Sequence, residues 1–361
     1  MRIVSPLLKK VLYPSMSAAG LFQRTSAAGL AIVTYHGVLP DGYERDPDLD
    51  GSLLGSNELH RQLRFLKAHY EIISPDDLLA WRRNGKGLPK RAVLLTCDDG
   101  LVNCLTRMLS VLQQEQVKCL FFVTGASAGG SRTMLWYEQL LVLFLRAKSG
   151  SVELVRSGLK IRGKLETREE RKSAWWGVVK RLSQLNPNQR EVILCDLAER
   201  LEYKDSAIAG RQQLFERFGL LDVVELRALA SAGMTIGAHT MSHPYLPQVP
   251  AEIAFAEIRE SREKLESALG APVWAFAYPF GDAESVTEQI IAMPKEAGFE
   301  AAFLNYGGGL GADLPEFALP RIHVTAEMSQ AELDAHVSGF YGRMQRRVGR
   351  RAQRFAVATA E

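Results

Sequence analysis

Short runs of β-branched and aromatic residues recur along the chain, separated by stretches in which apolar positions return every three or four residues. The runs at 31–35, 92–96, 119–124, 235–238, 273–278, 301–304 and 319–324 are almost continuously apolar, as strands covered on both faces are. Helical spacing falls between them, at 56–70, 75–83, 101–114, 251–269 and 285–297. Alternation of this kind predicts a parallel sheet wrapped by helices. Seven such units make the expected fold class α/β, a distorted or incomplete (β/α) barrel.

One stretch breaks the rhythm. From about residue 136 to 230 the pattern reads as helical throughout, with Leu140, Leu141, Leu143, Phe144 and Leu145 and then charge-rich turns. It is expected to be a helical insertion on the catalytic face, a cap or substrate-selecting element; a partner-binding surface is the alternative. The domain division is then a helical segment at 1–30, the barrel at 31–325 with its insertion, and a basic helical tail at 326–361. In the first segment Ile3, Val4, Leu7, Leu8, Val11 and Leu12 are spaced as on an amphipathic helix, with Lys9 and Lys10 beside them. Neither a signal peptide nor a transmembrane span is read there. The expectation is a helix covering one end of the domain, in a cytoplasmic protein. Weak peripheral contact with the anionic inner face of the membrane is the second reading, aided by Arg343, Arg346, Arg347, Arg350, Arg351 and Arg354.

Composition narrows the class without naming it. With 361 residues, 47% hydrophobic and 24% charged, the chain is ordinary globular material. A net charge of +3 is too small to argue for nucleic acid, and none is expected as a partner. Cys97, Cys104, Cys119 and Cys195 form no Cys-x-x-Cys pair and no disulfide framework, which fits a reducing compartment.

The chemistry concentrates in two motifs. Thr96-Cys97-Asp98-Asp99-Gly100 puts adjacent carboxylates at the end of an apolar run, and His239-Thr240-Met241-Ser242-His243 spaces two imidazoles at i and i+4. One helical turn apart, both rings can face one ion. Asp-Asp-Gly is also ordinary turn sequence, and His-x-x-x-His is often an idle pair on a solvated helix. Both motifs, however, follow strand-like runs, and strand carboxyl ends are where α/β proteins place their chemistry. Two histidines and one carboxylate on an open-sided metal, with a second carboxylate free, are the parts of a hydrolytic site.

With these motifs placed, residues 31–324 resemble the polysaccharide deacetylase family, the NodB-homology domain of carbohydrate esterase family four. Thr96 to Gly100 matches its T-F-D-D-G motif, with Cys97 in the Phe position. The resemblance implies that Asp98 is the general base and that Asp99, His239 and His243 hold a divalent metal, with zinc the expected ion. It further implies that Tyr278-Pro279-Phe280-Gly281 is the aromatic loop lining the acetyl-sugar groove. The family's Arg, two residues before that Pro, is replaced by Ala277. Arg321, at a late strand end, is the expected replacement and is grouped with the groove residues. No Leu-x-x-His motif of the family's usual C-terminal form is read. The early Thr34-Tyr35-His36-Gly37-Val38 resembles the permuted subgroup acting on poly-N-acetylglucosamine, where such a histidine enters the site. His36 and His323 are therefore rivals for the general acid, with His36 preferred.

The implied activity is metal-dependent removal of the N-acetyl group of a sugar in a glycan or glycan precursor, releasing acetate and a free amine. Two alternatives stand beside it: a catalytically silent relative that binds sugar or a partner, and a hydrolase of another amide on the same scaffold.

Overall fold

The computed structural model describes residues 8–24, 29–85, 87–129, 134–156, 158–203, 208–282, 285–309, 311 and 314–344. Its centre is a parallel sheet of eight strands: β1 Gly29–Tyr35, β2 Glu71–Ile73, β3 Arg91–Cys97, β4 Leu120–Val123, β5 Thr235–Ala238, β6 Ala275–Ala277, β7 Ala301–Gly307 and β8 Leu319–His323. Seven of them close into a ring, because β1 pairs with β3 on one side and β8 on the other. Along the remaining edge of β3, β2 pairs with its first half and β4 with its end. Each of the seven apolar runs is a ring strand. The barrel is incomplete in strand number and closed in hydrogen bonding.

Alternation along the strands sorts the core into two layers. Leu30 and Ile32 of β1 share a cluster with Ala92, Leu94, Leu120, Phe122, Ala275, Ala277, Phe303 and Leu319 inside the barrel. Ala31, Val33 and Tyr35, the intervening residues, pack outward with Val93, Leu95 and Cys97 under the helices. The same parity carries Thr34, Thr96 and Arg321 to the interior just below the carboxyl rim, where all three are fully buried. Polar side chains at that depth require partners, and these are found at the site.

The insertion leaves the barrel between β4 and β5. It comprises helices α1 Trp136–Arg146, α2 Arg168–Leu182 and α3 Pro187–Arg200, followed by Ile208–Phe218. It is not helical throughout: Ser151–Arg156 and Leu159–Lys164 form an antiparallel hairpin. Its strand signal was present in Val152 and Leu154, both buried and alternating with exposed Glu153 and Val155. Capping boxes at Thr167/Glu170 and Asn186/Gln189 start α2 and α3. Leu140, Phe144, Val152, Ile161, Val179, Ile193 and Leu197 give the insertion a core of its own. It also ends earlier than residue 230, since Val223–Ser231 packs on Ala251–Leu269 in the barrel's outer layer.

The chain's first segment is not one helix. Tyr13–Ala18 and Leu21–Arg24 are two short helices after a turn at Leu8–Leu12. Ser17 Oγ and Gln23 Nε2 both donate to Asp334 Oδ2 at 2.6 Å, and Tyr13 and Phe22 pack edge-on, fixing the segment to Gln330–Val337. Arg346, Arg347, Arg350, Arg351 and Arg354 of the basic tail lie outside the described residues. Among the described residues no helix is long and apolar enough to cross a membrane.

Candidate active site

Parallel strands deliver their carboxyl ends to one rim, and the chemistry-bearing residues gather there. His36 follows β1, Asp98 and Asp99 follow β3, His239 follows β5, Pro279 and Phe280 come just after β6, and Arg321 and His323 end β8. Backbone strain marks the same rim. Asp99 (φ 74°), Thr240 (61°), His243 (54°) and Phe280 (61°) are four of the six non-glycine residues in the left-handed region among the described residues. Each such residue costs about 1–3 kcal/mol, and strain of this kind persists where surrounding structure enforces it.

The histidine doublet is not on a helix, as its spacing suggested. Residues 239–245 are a loop, turned by the left-handed backbone at Thr240 and His243. Thr240 Oγ1 accepts from the His243 backbone N–H at 3.0 Å, which folds the loop so that both imidazoles face inward. Their Nε2 atoms lie 3.6 Å (His239) and 3.4 Å (His243) from Asp99 Oδ1. One donor atom from each of the three residues falls within 4.8 Å of the others, and all three side chains are buried. His239 Nδ1 is 2.7 Å from the Ala277 carbonyl. A carbonyl can only accept, so Nδ1 carries the proton and Nε2 keeps its lone pair aimed at the centre. Convergent buried lone pairs repel one another, and a cation between them relieves this. This donor set, two imidazole nitrogens and one carboxylate oxygen, fits a divalent ion such as zinc. Burial opposes the charge on Asp99, but the polar neighbourhood of the two imidazoles and His36 outweighs it and holds the carboxyl well below the usual range.

Asp98 is turned the other way, into the barrel. Arg321 Nη1 donates to its Oδ1 at 2.7 Å and Nη2 to its Oδ2 at 2.5 Å, while Nη1 also reaches Thr96 Oγ1 at 3.1 Å and Nε reaches the Leu304 carbonyl at 2.5 Å. Here the polar layer below the rim finds its partners. Burial works against ionising Asp98, yet the Arg321 charge prevails and the carboxyl is lowered. Arg321 stands where its guanidinium orients Asp98. It is fully buried, so its grouping with groove-lining residues is corrected.

The aromatic loop divides in two. Phe280 is partly exposed and lies 4.8 Å from the His243 ring, on the rim. Pro279 is buried beside it. Tyr278 is fully buried, packs on Phe276 and donates its hydroxyl to the Phe317 carbonyl at 2.8 Å. It is a core residue rather than part of a groove, because strand parity sends it outward. His36 and His323 stand with ring centroids 4.6 Å apart. His323 Nε2 is 3.3 Å from Ser52 Oγ, and burial together with the neighbouring His36 pushes its pKa down to about 3. His36 is partly exposed, with Nδ1 unpartnered.

The insertion supplies residues that the motifs did not announce. Tyr137 Oη lies 3.3 Å from Asp99 Oδ2, and its ring covers His243 at 4.5 Å. Trp136 Nε1 donates to the Ser242 carbonyl at 2.8 Å, and Arg190 Nη2 donates to Ser242 Oγ at 2.6 Å. Glu138 is buried with one oxygen unpartnered; burial, and then the Asp99 charge, raises its pKa well above the ordinary value. The sequence signal was a cluster of aromatic and acidic residues at the head of the insertion. It carried no spacing that pointed to the site.

A barrel with a buried Asp-His-His set that could hold a metal ion, and a second carboxylate beside it at the carboxyl rim, has the parts of a hydrolytic site. Residues 85–161 and 212–302 match the family model described as polysaccharide deacetylase, and the unmatched interval lies within the insertion. The two matched segments together cover just under half of the chain, and the match supports a hydrolytic deacetylase. The chain's fold is similar to that of the Streptococcus pyogenes deacetylase PplD in complex with acetate, at 16% identity and a TM-score of 0.54 over 86% of this chain and 99% of that one. It is likewise similar to IcaB from Ammonifex degensii, at 16% identity and a TM-score of 0.54 over 86% and 97%. A de-N-acetylase from Aggregatibacter actinomycetemcomitans gives 12% and 0.51 over 85% and 99%. Among curated proteins none matches the sequence.

Proposed function

We propose that the protein hydrolyses the N-acetyl group of an N-acetylated sugar, in a glycan or a glycan precursor, in a metal-dependent reaction that releases acetate and a free amine. The observation that carries this is the division of labour between adjacent aspartates: Asp99 faces the two imidazoles, while Asp98 is held by Arg321 and stays ionised. A divalent ion, zinc in this reading, held by Asp99, His239 and His243 would supply Lewis acidity to the acyl oxygen and to a water.

Asp98 serves as the base. Arg321 occupies one lone pair on each of its oxygens and leaves others to accept the proton of the attacking water. The fork also fixes the carboxylate plane, so the acceptor is in place before substrate arrives. His36, partly exposed on the rim, hands a proton to the departing amine. Phe280 lines the acetyl-sugar side beside His243. The substrate class rests on the family-model match and on resemblance to deacetylases of similar fold. The test is acetate release from N-acetylated sugars and oligosaccharides by the zinc-loaded protein. Loss of release in Asp98→Asn with metal retained supports the reading; release unaffected by that substitution overturns it.

A further inference from the structure

The two oxygens of Asp99 have different neighbours. Oδ1 faces both imidazoles, at 3.6 and 3.4 Å, whereas Oδ2 lies 3.3 Å from the phenol of Tyr137. A carboxylate meeting a divalent cation can offer one oxygen or both, and that choice decides how many positions remain for water and substrate. We infer that Tyr137 is a positioning residue: its hydroxyl engages Oδ2, so that Asp99 presents Oδ1 alone to the ion and the coordination sphere stays open. The inference rests on the metal-site reading above and extends it to a residue of the insertion.

Tyr137 is built to hold that place. Its ring lies over His243 with centroids 4.5 Å apart and an interplanar angle of 30°, and it meets Phe280 edge-on at 5.4 Å. Its backbone carbonyl accepts from Trp175 Nε1 at 2.9 Å, tying it to α2. The preceding residue, Trp136, holds the Ser242 carbonyl inside the histidine loop. Two consecutive residues of α1 thus brace the aspartate ligand and the loop carrying both histidine ligands. A phenol fixed at ring, backbone and neighbour loses little freedom on engaging the carboxylate. Partners in this outer position typically change metal affinity or activity 10–100-fold when removed. The insertion, read from sequence as a cap, is in this account part of the metal site's frame.

The experiment uses the metal-free full-length protein titrated with Co(II), whose visible absorption strengthens at low coordination number and weakens at high. Wild type, Tyr137→Phe, Tyr137→Leu and Asp99→Asn are compared by absorbance and by competition with a chromophoric chelator, alongside kcat and KM for acetate release. Tyr137→Phe keeps the ring and removes one oxygen. Its expected result is a weaker visible band, cobalt affinity shifted about 10-fold or more, and a fall in kcat with KM little changed. Tyr137→Leu should show the same spectral change with a lower Tm. A wild-type spectrum and affinity in Tyr137→Phe, or a Tm loss in Tyr137→Leu without spectral change, would assign Tyr137 to packing and overturn the inference. Absence of stoichiometric cobalt binding in the wild type would instead remove the metal-site reading, and the inference with it.

Discussion

Arg321 and Asp98 meet inside the barrel although 223 positions separate them in the chain. The guanidinium comes from the last strand and the carboxylate from the rim after β3, and their two-pronged contact crosses the space above Phe122, whose ring lies 5.2 Å below the guanidinium carbon. An arginine partner for Asp98 is thereby supplied from the last strand, position 277 being alanine. A closed ring makes this possible, since side chains of every strand reach the same axis.

Replacing Arg321 by Lys keeps a charge and loses the fork. Asp98 then feels a weaker opposing charge and protonates more easily, so the acid limb of the rate profile should move to higher pH. Stability follows the same sign. A carboxyl with a lowered folded pKa contributes stability that is present above its unfolded pKa and lost as pH falls through the folded value. Arg321→Met, which leaves a buried charge unpaired, should cost about 3–5 kcal/mol in urea unfolding at neutral pH. An unmoved acid limb in Arg321→Lys would show that the contact does not tune Asp98.

His239→Ala removes one of three convergent donors and with it the ring anchored on the Ala277 carbonyl. Metal analysis after dialysis should show the ion lost, with activity falling in parallel. Full retention of zinc in this variant would contradict the ligand assignment.

Tyr278 offers a test of the corrected groove. Tyr278→Phe deletes the hydroxyl that donates to the part-buried Phe317 carbonyl, which should cost about 0.5–1.5 kcal/mol of stability. KM for an acetylated oligosaccharide should be little changed, since the side chain is fully buried. A large rise in KM without loss of stability would return Tyr278 to the groove.

The barrel was legible because its strands are covered on both faces, which leaves unbroken apolar runs such as 92–96 and 119–124. The strand β2 escaped because three residues, Glu71 to Ile73, are too few to carry a period. The hairpin at 151–164 escaped for another reason: its alternating pattern sits among helix-forming charged residues and was absorbed into their rhythm. At the site, Asp99, His239 and His243 could be grouped from motif spacing, although a strained loop and not a helix unites the histidines. Tyr137 and Glu138 were invisible. Nothing in the sequence says which end of an insertion faces a rim.

Glu138 should make the metal-free protein sensitive to pH in the opposite sense to Asp98. Its folded pKa is raised, first by burial and then by the Asp99 charge, so folding favours the protonated form. Above the unfolded pKa the denatured chain releases that proton while the native state retains it, and stability declines as pH rises. In chelator-treated protein, Glu138→Gln should remove this cost. The Tm difference between variant and wild type should grow in the variant's favour from pH 5 to pH 8. A difference independent of pH would show that Glu138 is ionised in the native state.

The proton donor can be separated by the same kind of profile. A general acid must be protonated to act, so its titration forms the alkaline limb of the rate curve. His323 is pushed down to about 3, by burial and then by the neighbouring His36, which disfavours its protonated form. A neutral imidazole cannot produce an alkaline limb. His36 is partly exposed at the rim, within electrostatic reach of both Asp98 and Asp99. His36→Ala, with zinc content matched to wild type, should lose the alkaline limb and reduce kcat by about 10²–10⁴-fold. His323→Ala should keep the limb and lose less, through the freed His36 ring and the broken contact with Ser52. If the limb survives in His36→Ala and disappears in His323→Ala, the donor is His323.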